Sequence, residues 1–193
     1  MRRELVDSGH VTNVLLYQNV GELQNRISDE LESHFFIYVP SDKIEYFEEK
    51  YVSEDLAETF GEAAYDFREA GKCFALARHT ACVFHLMRVL EVGLNGLAAR
   101  LQVSSDHRNW QNIIGDIEKK IKEIGPSWGL RWKEKEQLYS GAAVEFRYFK
   151  NAWRNHVAHV RERYDEESAL NIFTHVRAFM QHLATKLKED GAT

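Results

Sequence analysis

Arg154 and His159 fall within residues 152–164, "AWRNHVAHVRERY", which crowd three arginines and two histidines together. An arginine offers a planar fork of donors that matches phosphate oxygens. A histidine, with an ordinary pKa of about 6.5, can take and return a proton near neutral pH. In kind, the pair suffices for metal-independent cleavage of RNA. The histidine would help a 2′-hydroxyl attack the adjacent phosphate, or protonate the leaving 5′-oxygen. The arginine would stabilise the negative charge that builds in the transition state.

Spacing constrains this chemistry. On a continuous helix, five residues subtend about 500°, leaving Arg154 and His159 about 140° apart. They converge only if the helix ends between them. The stretch reads as such an ending: Val157 is β-branched, charges follow at Arg161 and Arg163, and "YDEES" has the character of the next helix's cap. Two other readings stand beside this one. Cations near a helix C-terminus complement the macrodipole with no further role. Alternatively His156 and His159, three apart, share a metal ion, with Asp165, Glu166 or Glu167 as a further ligand. The neighbouring arginines repel a cation, so no metal and no cofactor are expected.

A second polar set lies on a helix that is otherwise apolar nearly all round: His85, Arg88, Glu91 and Asn95, within about a 120° sector. Buried polar groups need partners. An Arg88–Glu91 ion pair with His85 bonded to backbone would supply them. Two alternatives are that Glu91 or Asn95 orients Arg154 or His159, or that the line faces a second copy. Trp110, Trp128, Trp132 and Trp153 have the surface to stack on bases, but at helical spacing they read as core.

The elements that must position these groups are helices. Val11, Leu15, Val20, Leu23, Ile27 and Leu31 read as one face of a helix over residues 11–33. "FFIYVP" reads as a short extended segment, Ser41 as the N-cap of a helix over "DKIEYFEEK", and "EDLAETF" as a third short helix. These interrupted pieces suggest an N-terminal helical extension over residues 1–60. From Gly61 the pattern changes to longer helices: "EAAYDFREAGKCFALAR" with a weak point at Gly71, then "ACVFHLMRVLEVGLNGLAARL" with Thr80 marking its start. "WQNIIGDIEKKIKEI" and "RWKEKEQLYSGAAVEFRYFKNAWRN" follow, split by the turn "GPSWG". Ala169, Ile172, Phe173, Val176, Phe179, Met180, Leu183 and Leu187 form the buried stripe of a last helix. The expected fold is all-α, a bundle of four long helices over residues 61–193 behind the extension.

Composition agrees. Apolar residues make up 44% of 193, and two prolines are too few for a Pro-rich linker. The net charge of −5 argues against a broad basic nucleic-acid surface. "MRRELVDSGH" has no apolar run of signal-peptide type, and no stretch reads as the roughly 18 apolar residues of a membrane span. Cys73 and Cys82 lack CxxC spacing and read as reduced, packed thiols in a cytoplasmic protein with no membrane partner.

"WRNHVAH" resembles the R-polar-x3-H signature of HEPN domains (higher eukaryotes and prokaryotes nucleotide-binding), which are α-helical bundles. Arg154 fits the motif arginine, Asn155 the polar residue that often follows it, and His159 the motif histidine. "FREAGKCFALARHTACVFHLMRVLEVGLNGLAARL" is similar to the first two long helices of bacterial HEPN-like proteins, so the resemblance covers about residues 60–188. It implies a metal-independent endoribonuclease in toxin–antitoxin, phage-defence or stress systems, acting on an RNA substrate. It also implies a homodimer in which two motifs face one composite cleft, and an antitoxin or other protein partner. The same resemblance allows a non-catalytic domain that binds a protein or nucleotide. Arg154 would bind phosphate, His159 would transfer the proton, and Asn155 would assist. His156, Arg88 and Glu91 lie outside the motif and would act around it.

Overall fold

The computed structural model describes residues 9–48, 52–104, 109–154 and 163–191. Among them are eight α-helices and no strand, an all-α helical bundle. The chain divides into two compact units, residues 1–38 and 39–193.

The first unit carries α1 (Gly9–Glu32). Leu16, Val20, Leu23, Ile27 and Leu31 fall within a sector of about 80° at 100° per residue. Leu15 lies outside it, so the stripe differs in membership from the face expected above. Its side chains are exposed. "FFIYVP" enters no sheet.

The second unit begins at Val39, not at residue 61. It opens with a 3-10 turn (Ser41–Lys43), α2 (Ile44–Phe47) and α3 (Glu54–Thr59). Residues 39–60 belong here because their apolar side chains enter the same core. Leu56 and Phe60 are buried, and the Tyr46 ring stands edge-on to Phe74 and Phe173 at 4.8 and 5.3 Å. Lys43 lies over the Phe74 ring and pairs with Glu166. Ser41 is inside its turn rather than capping it, the N-cap place being taken by Pro40. Ser53 is a true cap and accepts from the Leu56 N–H.

The bundle proper comprises α4 (Gly61–Ala75), α5 (His79–Arg100), α6 (Trp110–Ile121), α7 (Trp132–Phe149) and α8 (Glu166–Gly191). α4 runs unbroken through Gly71. A three-residue turn joins α4 to α5, with Ala77 in the left-handed region at φ 56°. There the Arg78 N–H reaches back to the Cys73 carbonyl, a helix ending that more often uses glycine. The α8 stripe packs as expected, with only Phe179 of its eight residues left partly open. α5 passes through the centre, with Val83, Leu86, Val89, Leu90, Leu94 and Leu97 fully buried. By length and composition α5 could cross a membrane, contrary to the expectation that no stretch would, but 56% of the qualifying window is buried in this bundle. Its apolarity is that of a core helix.

Three helices are tied at one end by a carboxylate. Asp190 on α8 accepts from Arg100 Nε on α5 at 3.0 Å, and from the Tyr139 hydroxyl at 2.5 Å and Lys135 Nζ at 2.8 Å on α7. Burial works to raise its pKa, but the bonds from Lys135, Tyr139 and Arg100 outweigh it and hold the carboxyl at about 2. Burial and the bond to Asp190 push the Tyr139 phenol up to about 12.

Candidate functional site

The site is built where α7 ends. The α7 stripe of Tyr139, Ala142, Ala143, Phe146 and Phe149 is buried. At Lys150 the regular helix widens into a π-helical turn, Lys150–Arg154. Such a turn commonly marks a functional position in a helix. Trp153 remains attached to the core, its ring 5.4 Å from those of Phe149 and Tyr148 and 6.1 Å from His175.

Arg154 closes the turn. Its guanidinium lies 5.6 Å from the centroid of the Trp110 ring, a cation–π contact with the first residue of α6. Trp110 is itself 2% exposed and stands edge-on to Phe146. It is therefore a fixed platform. The same end of α6 takes a second hold, since Lys150 Nζ donates to Gln111 Oε1 at 2.7 Å. Asn109 in turn fixes that end by accepting from the Gln111 N–H. Further along, Arg147 pairs with Glu118. Among the described residues, Arg154 has no carboxylate partner: its guanidinium lies over an aromatic face and makes no hydrogen bond to another described residue.

The chain is described again from Arg163, which is exposed. Here the Tyr164 N–H donates to Thr80 Oγ1 at 3.2 Å. Thr80 does not cap α5, as its place at the start of that helix suggested, but holds the returning chain. Asp165 is the side-chain cap of α8 expected in "YDEES", accepting from the Ser168 N–H at 2.8 Å. That residue's bonds hold the Asp165 carboxyl below the usual range. Arg154 thus rests on the α6 platform and Tyr164 on the first turn of α5. Asn155, His156, His159 and Arg161 lie outside the described residues, and so do both histidines of the metal reading. Among the described residues, no group of three metal-binding side chains occurs.

The polar line on α5 has a different partner from the one expected. Asp66 of α4, 4% exposed, accepts from His85 Nδ1 and from Arg88 Nε, each at 2.8 Å and on the same oxygen. His85 is therefore bonded to a carboxylate rather than to backbone, and Arg88 pairs with Asp66 rather than with exposed Glu91. Among the described residues, no hydrogen bond or ion pair joins Arg88 or Glu91 to Arg154. Two residues of the site region escaped the sequence reading. Trp110 was weighed for stacking on bases and read as core or interface, and nothing in its spacing named Arg154 as its partner. Asp66 did leave a signal: it occupies the stripe Ala63, Asp66, Phe67, Ala70, where an apolar residue belongs.

Both cysteines are free, Cys82 buried and Cys73 half-buried, and burial pushes both thiols upward. They are poor nucleophiles at neutral pH. Compared with family models, with curated proteins and with solved structures, the chain has no match.

Proposed function

We propose that the bundle is a metal-independent endoribonuclease of HEPN type, acting in bacterial defence, toxin–antitoxin or stress systems, in the cytoplasm and as a homodimer. The observation that carries the reading is the setting of Arg154. It is a half-buried arginine at the widened end of α7, directly before "NHVAH", and among the described residues it is held by an indole face rather than by an acid. A cation held in this way keeps its donors for an incoming anion. His159 would act as the proton carrier and Asn155 as a polar aid, with His156, outside the motif, acting around it. Arg154, Arg161 and Arg163 from two copies would concentrate positive charge at one cleft on an otherwise acidic protein. No cofactor enters the reaction. Arg88 is committed to Asp66, so its part is to hold α5 against α4.

Incubation of the full chain with RNA in excess chelator tests the reading, with the new ends identified chemically. Chelator-resistant cleavage that leaves cyclic phosphate ends is the expected outcome. Cleavage that needs a divalent ion, or none at all, overturns it.

A second reading, a non-catalytic module for a protein partner, is favoured by one observation. Between α7 and α8 runs a groove of about 760 Å³ whose floor includes Leu138, Ala142, Phe149, Phe179 and Leu183. Its size suits a helical segment of an antitoxin or other protein. On that reading, biological function survives His159→Ala and is lost when the groove is filled, as by Ala142→Trp.

A further inference from the structure

α1 has more order in its sequence than a solvated helix needs. Written as a heptad, its a positions are Asn13, Val20 and Ile27, and its d positions are Leu16 and Leu23. β-branched residues at a with leucine at d is the combination that favours two parallel strands. A single asparagine at a is the usual device for fixing register and number of strands, at some cost in stability. The flanking positions are compatible. In a parallel pair, g faces the following e of the partner: Asn19 meets Gln24, and Arg26 meets Leu31, so no like charges oppose each other. The outward b, c and f positions hold Gln18, Gly21, Glu22, Asn25, Ser28 and Asp29, with apolar Val14 and Leu15 in the first heptad. Glu30 occupies the next d and ends the seam.

Within its own unit nothing covers this seam. Leu16, Val20, Leu23 and Ile27 are between 45% and 59% exposed. No residue of α1 whose side chain is described is buried. A lone helix of this length and composition is marginal in water, because propensity rarely repays the cost of nucleation. Something must cover its apolar face, and the a and d residues specify the same helix from a second copy.

We propose that α1 pairs with α1 of a second copy of this chain as a short, parallel, two-stranded coiled coil over residues 13–27. The inference rests on α1 alone and does not depend on the ribonuclease reading. It also places a dimer contact on residues different from those of any cleft shared by two bundles.

Mass in solution and a symmetry-sensitive cross-link test it together on the full chain. Sedimentation over a range of concentrations is compared for the wild type and the double substitution Leu23→Glu, Ile27→Glu. The thermal melt of the bundle controls for folding. The expected result is a self-association at least tenfold weaker in the variant than in the wild type, with the melt of the bundle unchanged. In a background with Cys73→Ser and Cys82→Ala, Leu23→Cys is then oxidised beside Glu22→Cys. In a parallel pair, d faces its own copy, so Leu23→Cys yields a covalent dimer and Glu22→Cys far less. A strength of self-association unaffected by the double substitution overturns the proposal, including a chain that is monomeric from the start because another surface covers the stripe. So does a Leu23→Cys yield no higher than that of Glu22→Cys.

Discussion

The two ends of α7 are built on opposite principles. At its start, Lys135 and Tyr139 converge with Arg100 on Asp190, and each donor has the same acceptor to satisfy. At its finish, Arg154 rests on the face of Trp110 and Lys150 on a neutral amide. Among the described residues, no acid neutralises Arg154. A charge that serves packing is paired when it leaves water, since an unpaired one is costly. A charge that serves a ligand must keep its donors unspent. The contrast separates a structural knot at the start of α7 from a candidate site in the π-helical turn that follows its last residue.

The largest effect expected is on activity at the second end. His159→Ala is expected to lower RNA cleavage by about 10²–10⁴-fold, the usual contribution of a proton-transfer group. Arg154→Ala should have a loss of similar order. Both melts are expected to stay within about 0.5 kcal/mol of wild type, as read by denaturant titration. Arg154→Lys keeps the charge but not the fork, and is expected to restore only a small part of the rate.

The knot should behave in the reverse manner. Asp190→Ala strands two cations and a phenol, and is expected to cost about 1–3 kcal/mol, measured by the same titration, with cleavage retained in the folded fraction. Its pH dependence has a definite sign. The folded Asp190 carboxyl titrates at about 2 against an ordinary 3.8. Its contribution is therefore whole above about pH 4 and is lost as pH falls toward 2, because the unfolded chain binds the proton first. Asp190→Asn should remove that part of the acid limb.

Asp66→Ala is comparable in size. It removes the one acceptor shared by His85 and Arg88 and is expected to lower stability by about 1–3 kcal/mol, with little effect on cleavage. If it abolished cleavage in a folded protein, the α4–α5 cluster would belong to the site and the contrast would need redrawing. At Gly96 a Cβ would meet Phe60 Cε1 at 2.6 Å, so Gly96→Val should overpack that contact and cost about 1–3 kcal/mol. The smallest change runs the other way. Ala77→Gly relieves a left-handed alanine between α4 and α5 and is expected to raise stability by about 0.5–1 kcal/mol.

Most of the bundle was legible because its signal is periodic. The spacing of the α8 stripe and the aromatic and aliphatic run of α5 are enough to name their buried faces. The domain boundary was not legible, because residues 41–60 form short pieces whose helical period is too brief to register. What joins them to the core is individual side chains, Lys43 on Phe74 and Phe60 beneath Gly96, contacts between positions far apart in sequence. At the site, residue types were legible and partners were not. An arginine and a histidine five apart suggested phosphate chemistry; the helix widens over Lys150–Arg154, and the ending expected between Arg154 and His159 lies outside the described residues. The α6 platform could not be foreseen, since Trp110 lies 44 positions earlier and looks like any core tryptophan. Asp66 shows the converse, a charge set in an apolar stripe that announces a buried partnership without naming its members.

The most direct measurement is cleavage of RNA in excess chelator by four folded proteins side by side: wild type, Arg154→Ala, His159→Ala and Asp190→Asn. The account predicts that wild type and Asp190→Asn cleave, leaving cyclic phosphate ends, while the other two are inactive with unchanged melts. Equal cleavage by wild type and Arg154→Ala, or no cleavage by any of the four, would contradict it and return the end of α7 to a structural role.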